Sequence, residues 1–83
     1  MPKTIFTGEN QVVVDVIRAA RLEAGLTQAQ LAERIGRDQS HVSLIEGSQR
    51  RLDVVEFHAI ALALGRDPKA LFAAVADRLS VQL

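Results

Sequence analysis

The chain has 83 residues, with ten Lys or Arg against ten Asp or Glu, 48 % hydrophobic residues, three Phe and no Trp, Tyr or Cys. That length makes a single domain over 1–83 with an aliphatic core, and the missing cysteine excludes disulfides, thiolate zinc sites and cysteine nucleophiles. A formal net charge of zero excludes the broad basic excess usual in nucleic-acid-binding domains, so any positive patch must be local.

The residue pattern divides the chain into five helical segments and makes it all-α. Thr7 is placed to cap a first helix that carries Val12–Ile17 and continues through Ala24 to a stop at Gly25. The valine run suits a strand by propensity, but no second strand is available to pair with it, and the Arg, Ala, Leu and Glu residues that follow favour helix. Thr27 and Gln30 have the spacing of a capping box, opening a helix with an apolar stripe of Leu31, Ala32 and Ile35. Gly36 then supplies a turn residue tolerant of positive φ. Asp38 can cap a third helix whose inward pair is Val42 and Ile45. Asp53 and Glu56 form a second capping box, for a helix carrying Val54, Phe57, Ile60, Ala61 and Leu64 and closed by Gly65. Asp67 and Pro68 open the last helix, with proline at the first position, where its missing donor costs nothing. Its apolar residues are Leu71, Phe72, Val75, Ala76 and Leu79.

Two short helices joined by a tight glycine-containing turn are a helix-turn-helix signature, here from Thr27 to about Glu46. A small residue is needed where the helices touch, and Ala32 is in place. A residue comfortable at positive φ is needed in the turn, and Gly36 is there. The second helix needs aliphatic anchors one turn apart, and Val42 and Ile45 meet that need.

The run from Gly25 to Gly36, reading Gly-Leu-Thr-Gln-Ala-Gln-Leu-Ala-Glu-Arg-Ile-Gly, resembles the Xre/Cro/phage-repressor family of bacterial and phage regulators. Arg50–Phe57 and Ala63–Pro68 continue the likeness, which spans roughly 12–72. It implies a compact five-helix lambda-repressor-like DNA-binding domain, with 38–46 as the recognition helix and double-stranded DNA as the partner. At about 100° per residue, an inward Val42 and Ile45 turn Ser40, Ser43 and Leu44 outward. Gln39 lies in the first turn, from which such helices touch base edges. An amide can pair bidentately with adenine, so Gln39 is the expected base reader, with Ser40, Ser43 and Leu44 beside it. Leu44 stands where relatives often carry a polar or basic residue; it either meets a thymine methyl or marks a weaker base readout.

For the DNA backbone the expected residues are Gln28 at a helix N-terminus, Arg37 in the turn, and Arg50 and Arg51 in the loop after the recognition helix. His41 either donates to a phosphate or packs against the preceding helix. The resemblance implies that Arg21 and Glu46 pair inside the domain. Relatives also tend to place glycine two residues after the Glu46 equivalent, whereas here Gly47 follows at once and Ser48 takes the next place.

So few phosphate-neutralising groups imply a modest affinity for one domain and a need for two. Phe72, Val75 and Leu79 continue to the tail residues Val81 and Leu83, more hydrophobe than a terminal helix needs, and are the expected homodimer interface within 68–83. The other reading is that this helix only covers the core. The function expected is a sequence-specific transcriptional regulator, a repressor on a palindromic operator. The alternative is an antitoxin-like or adaptor module that binds another protein. No phosphate-cradling loop, nucleophile–base pair or metal-ligand spacing points to an enzyme, a cofactor or a small-molecule ligand. His58 has no second ligand spaced to share a metal with it. Lys3 is not followed by a signal-peptide core and no stretch is membrane-spanning, so the expected setting is cytoplasmic, on the nucleoid.

Overall fold

A computed structural model describes residues 8–79 of the chain. They form five helices, α1 (Glu9–Glu23), α2 (Gln28–Arg34), α3 (Gln39–Glu46), α4 (Val54–Ala63) and α5 (Pro68–Leu79), with no strand among the described residues. Thr7, Val81 and Leu83 lie outside the described residues.

The starts of α2, α3 and α4 follow from side-chain capping, whereas the N-cap of α1 is Gly8, with no side-chain cap, in place of the expected Thr7. The Thr27 hydroxyl accepts from the Gln30 amide at 3.1 Å, and the Gln30 side chain accepts from the Thr27 amide at 2.9 Å. Asp53 and Glu56 repeat the arrangement at 2.7 and 2.9 Å. The Asp38 carboxylate accepts from the His41 amide at 3.3 Å. Each such cap satisfies an N–H group that the helix leaves orphaned.

Position 36 shows why the turn between α2 and α3 needs glycine. Its φ is +73°, and the Arg37 amide beyond it bonds back to the Ala32 carbonyl at 2.9 Å. A Cβ at this φ would press on the neighbouring carbonyl. The valine run is helical because burial overrides propensity: Val14, Val16, Ile17 and Ala20 enter the core from α1. There they meet Leu31 and Ala32 of α2, Val42 and Ile45 of α3, Ile60 and Ala61 of α4, and Leu71 and Val75 of α5.

The last helix departs from expectation. Val75 is 0 % exposed: it belongs to the core and lines an apolar groove beside Phe72 rather than standing on an outer face. Leu71, Val75 and Leu79, spaced by four, form the stripe that α5 turns inward, and Leu79 is half-buried against the core. Phe72 lies one residue round the helix and stays 52 % exposed, its ring edge-on to Phe57 at 5.9 Å.

Candidate nucleic-acid interface

The two-helix unit is set by what it buries. Leu31 and Ala32 on α2, and Val42 and Ile45 on α3, are each at most 1 % exposed. Anchored through these residues, α3 turns Gln39, Ser40, Ser43 and Leu44 to solvent, Leu44 at 41 % exposure. The Ser40 hydroxyl donates to the Asp38 carboxylate at 2.8 Å. That bond, with the His41 amide, holds the Asp38 carboxyl below its ordinary value of 3.8.

Behind α3 lies an ion pair. Arg21 Nε donates to Glu46 Oε2 at 2.7 Å and Nη2 to Oε1 at 3.0 Å, with the two side chains only 8 % and 3 % exposed. Arg21 Nη1 also donates to the Leu26 carbonyl at 2.7 Å. The fork-to-fork geometry thus ties the end of α1 to the end of α3 and to the start of the α2 turn.

Gln28 is less free than its place at the start of α2 suggested. Its Nε2 donates to Glu46 Oε1 at 3.0 Å, which leaves one amide hydrogen for an outside acceptor. Arg37 and Arg51 are exposed, and neither makes a side-chain hydrogen bond or ion pair among the described residues. Arg50 differs: its Nη2 donates to Glu56 Oε2, and its Nε is buried with no partner.

The His41 side chain is 12 % exposed. Its Nε2 lies 3.7 Å from Glu56 Oε2, an ion pair when the imidazole is protonated. The ring therefore addresses the helix that follows. Glu56 is the residue missed by sequence reasoning. Its capping role accounts for one carboxylate oxygen, and the oxygen left over is what gathers His41 and Arg50.

At the end of α3 the left-handed residue is Ser48 rather than Gly47. Gly47 has ordinary helical φ, and Ser48 adopts φ +58°. The Gln49 amide bonds back to the Leu44 carbonyl at 2.9 Å, as Arg37 does to Ala32. Asn10 Nδ2 donates to the Ser48 hydroxyl at 3.4 Å, and that hydroxyl donates to Gln11 Oε1 at 3.2 Å. These contacts fasten the loop after α3 to the start of α1.

A sequence model of the helix-turn-helix domain matches residues 13–75. The XRE-family like protein from Pseudomonas syringae pv. tomato is 43 % identical and superposes with a TM-score of 0.80 over 92 % of this chain and 93 % of that one. The chain belongs to the Xre-type helix-turn-helix family. This Xre-type chain is also 40 % identical over 52 residues to an uncharacterized HTH-type transcriptional regulator of Methanothermobacter thermautotrophicus, covering 63 % of this chain and 75 % of that protein. The restriction-modification controller protein C.Esp1396I, solved as a tetramer with its natural 35-base-pair operator, is 27 % identical. Its TM-score is 0.78, over 89 % of this chain and 97 % of that one. The Xre-type chain is accordingly a DNA-binding transcriptional regulator, and among its described residues no helix is long and apolar enough to cross a membrane.

Proposed function

We propose that this Xre-type regulator is a repressor that occupies a palindromic operator as a homodimer and reads it with α3. The observation that carries the proposal is the outward face of α3. Gln39, Ser40, Ser43 and Leu44 are exposed together on a helix whose opposite side is locked into the core. Gln39 reads a base through its amide, Leu44 meets a thymine methyl, and the two serines bond to base edges or phosphates. Arg37, Arg51 and the remaining amide hydrogen of Gln28 address the backbone on either side. Glu46 is then a second-rank partner of the DNA, because it fixes the Gln28 amide that faces a phosphate.

The pairing surface we assign is the apolar groove of about 470 Å³ between α1, α4 and α5, lined by Val13, Leu52, Val54, Phe57, Phe72 and neighbours. A second copy is its occupant. One chain offers few phosphate-binding cations, and the related C.Esp1396I is seen on its operator as a tetramer.

Selection of bound duplexes from a random pool tests the reading. Enriched inverted repeats, with half-sites about one helical turn apart, are the expected result. A pool without enrichment removes it. Failure to bind any duplex at low salt favours the adaptor reading instead, since phosphate contacts are strongest there. A reporter placed behind the selected operator should lose expression when the regulator is present; increased expression overturns the repressor assignment.

A further inference from the structure

Glu56 is engaged by two donors, and a third nitrogen lies close to it. Its Oε1 accepts from the Asp53 amide at 2.9 Å, closing the capping box of α4. Its Oε2 takes Arg50 Nη2 and lies 3.7 Å from His41 Nε2. Two side chains of the DNA-facing region, one on α3 and one in the loop after it, therefore share a single carboxylate oxygen. The Arg50 side chain is 39 % exposed, yet its Nε is buried with no partner. The guanidinium is thus held in an incompletely satisfied pose at the edge of solvent, beside the exposed Arg51. A buried donor without an acceptor is costly, and a phosphate offers a guanidinium several acceptor oxygens.

We propose that Glu56 is a positioning residue for the DNA contact: it holds Arg50 off the DNA in the free protein and yields it to a phosphate on binding. The proposal rests on the DNA-binding reading. Giving up Arg50 does not strand the carboxylate, because the Asp53 amide stays on Oε1 and a protonated His41 can pair with Oε2. In the unbound protein the pair keeps one cation of the interface neutralised, in accord with a net charge of zero. A duplex must draw Arg50 away to gain its contact, so Glu56 lowers affinity for any phosphate backbone, whatever the base sequence.

Glu56→Gln is the informative variant. Glutamine serves equally at this position of a capping box, so the helix start is retained while the charge is removed. In the full chain, affinity for a non-cognate duplex should rise several-fold, with the slope of log K against log salt close to the native one, because Arg50 meets a phosphate in both proteins. The same substitution made together with Arg50→Gln should gain much less. An equal gain in both backgrounds overturns the proposal, since it marks a general loss of negative charge. A fall in affinity with Glu56→Gln also overturns it, since Glu56 then aims Arg50 at the DNA. Arg50→Gln alone keeps the test open if Glu56→Gln melts far below the native chain. It should weaken binding and flatten the salt dependence, and unchanged binding rejects the release of Arg50 to a phosphate. The native chain is the control that separates the two readings: no binding to any duplex at low salt defeats both, whereas native binding that Glu56→Gln leaves unaltered defeats only this one.

Discussion

At the residue scale, Arg21 and Ser48 carry opposite lessons. Arg21 and Glu46 are desolvated together, and a buried pair adds little net stability over a well-packed apolar pair. Breaking it is another matter, because Glu46 would be left charged and buried with only Gln28 as a donor. Arg21→Ala should therefore cost about 3 kcal/mol or more, which for a domain of this size lowers the melting temperature by roughly 10–20 °C. Duplex selection at a temperature where the variant is folded should return the native operator. A melting temperature like that of the native chain, with an altered operator, would sink the structural assignment. Ser48 sits at φ +58°, where a side chain costs about 1–2 kcal/mol. It recovers part of that through long bonds to Asn10 and Gln11, the first part-buried and the second exposed. Relief of strain outweighs the lost bonds, so Ser48→Gly should raise stability by about 0.5 kcal/mol. Urea unfolding checks it, and a lower midpoint means that the tether to α1 matters more than the backbone.

At the scale of elements, α3 depends on its start. Asp38 is held below its ordinary value of 3.8 first by the Ser40 hydroxyl and then by the His41 amide. A depressed folded value means the unfolded chain binds the proton more readily. The contribution of the cap is therefore complete above the unfolded value and lost as the pH falls through the folded one. Asp38→Ala should melt below the native chain at neutral pH, and the gap should narrow as the pH drops well below 3.8; Asp38→Asn should keep most of the cap. Thermal melts across that range decide it, and a gap of constant size would falsify the linkage. The starts of α2, α3 and α4, the Gly36 turn and the inward pair Val42–Ile45 were legible in the sequence because each depends on residues within one or two turns of one another. Glu56 was not legible in full, because its second oxygen meets His41 and Arg50 only after two capped helices bring their first turns together. The inward turn of Val75 was hidden for a related reason. Leu71, Phe72, Val75, Ala76 and Leu79 make a stripe too wide for one partner, and only the packing of α5 against α1 and α4 decides which edge goes inside.

At the scale of the whole molecule, the question is what covers the hydrophobes that folding leaves outside. Phe72 is 52 % exposed and Val54 84 % exposed on the groove wall, while Val55 faces solvent close by. The described residues form a body 35 Å in its longest dimension, comparable to the roughly 34 Å of one DNA turn. Two copies placed side by side can therefore present their α3 helices to successive faces of one duplex. Phe72→Glu tests this arrangement. The ring touches Phe57 only edge-on and is half in solvent, so a charged side chain there can reach water without entering the core. The variant should keep its helical content and sediment as a monomer, and the native chain at the same concentration should sediment as a dimer. Binding to an isolated half-site should be unchanged, because α3 and its flanking cations are untouched. Binding to the full palindrome should weaken by on the order of 100-fold, the gain that linked half-sites confer through effective concentration. If Phe72→Glu lowers half-site and palindrome binding equally, the groove is not the pairing surface. The α3 face would then have to work either alone or through another contact between copies.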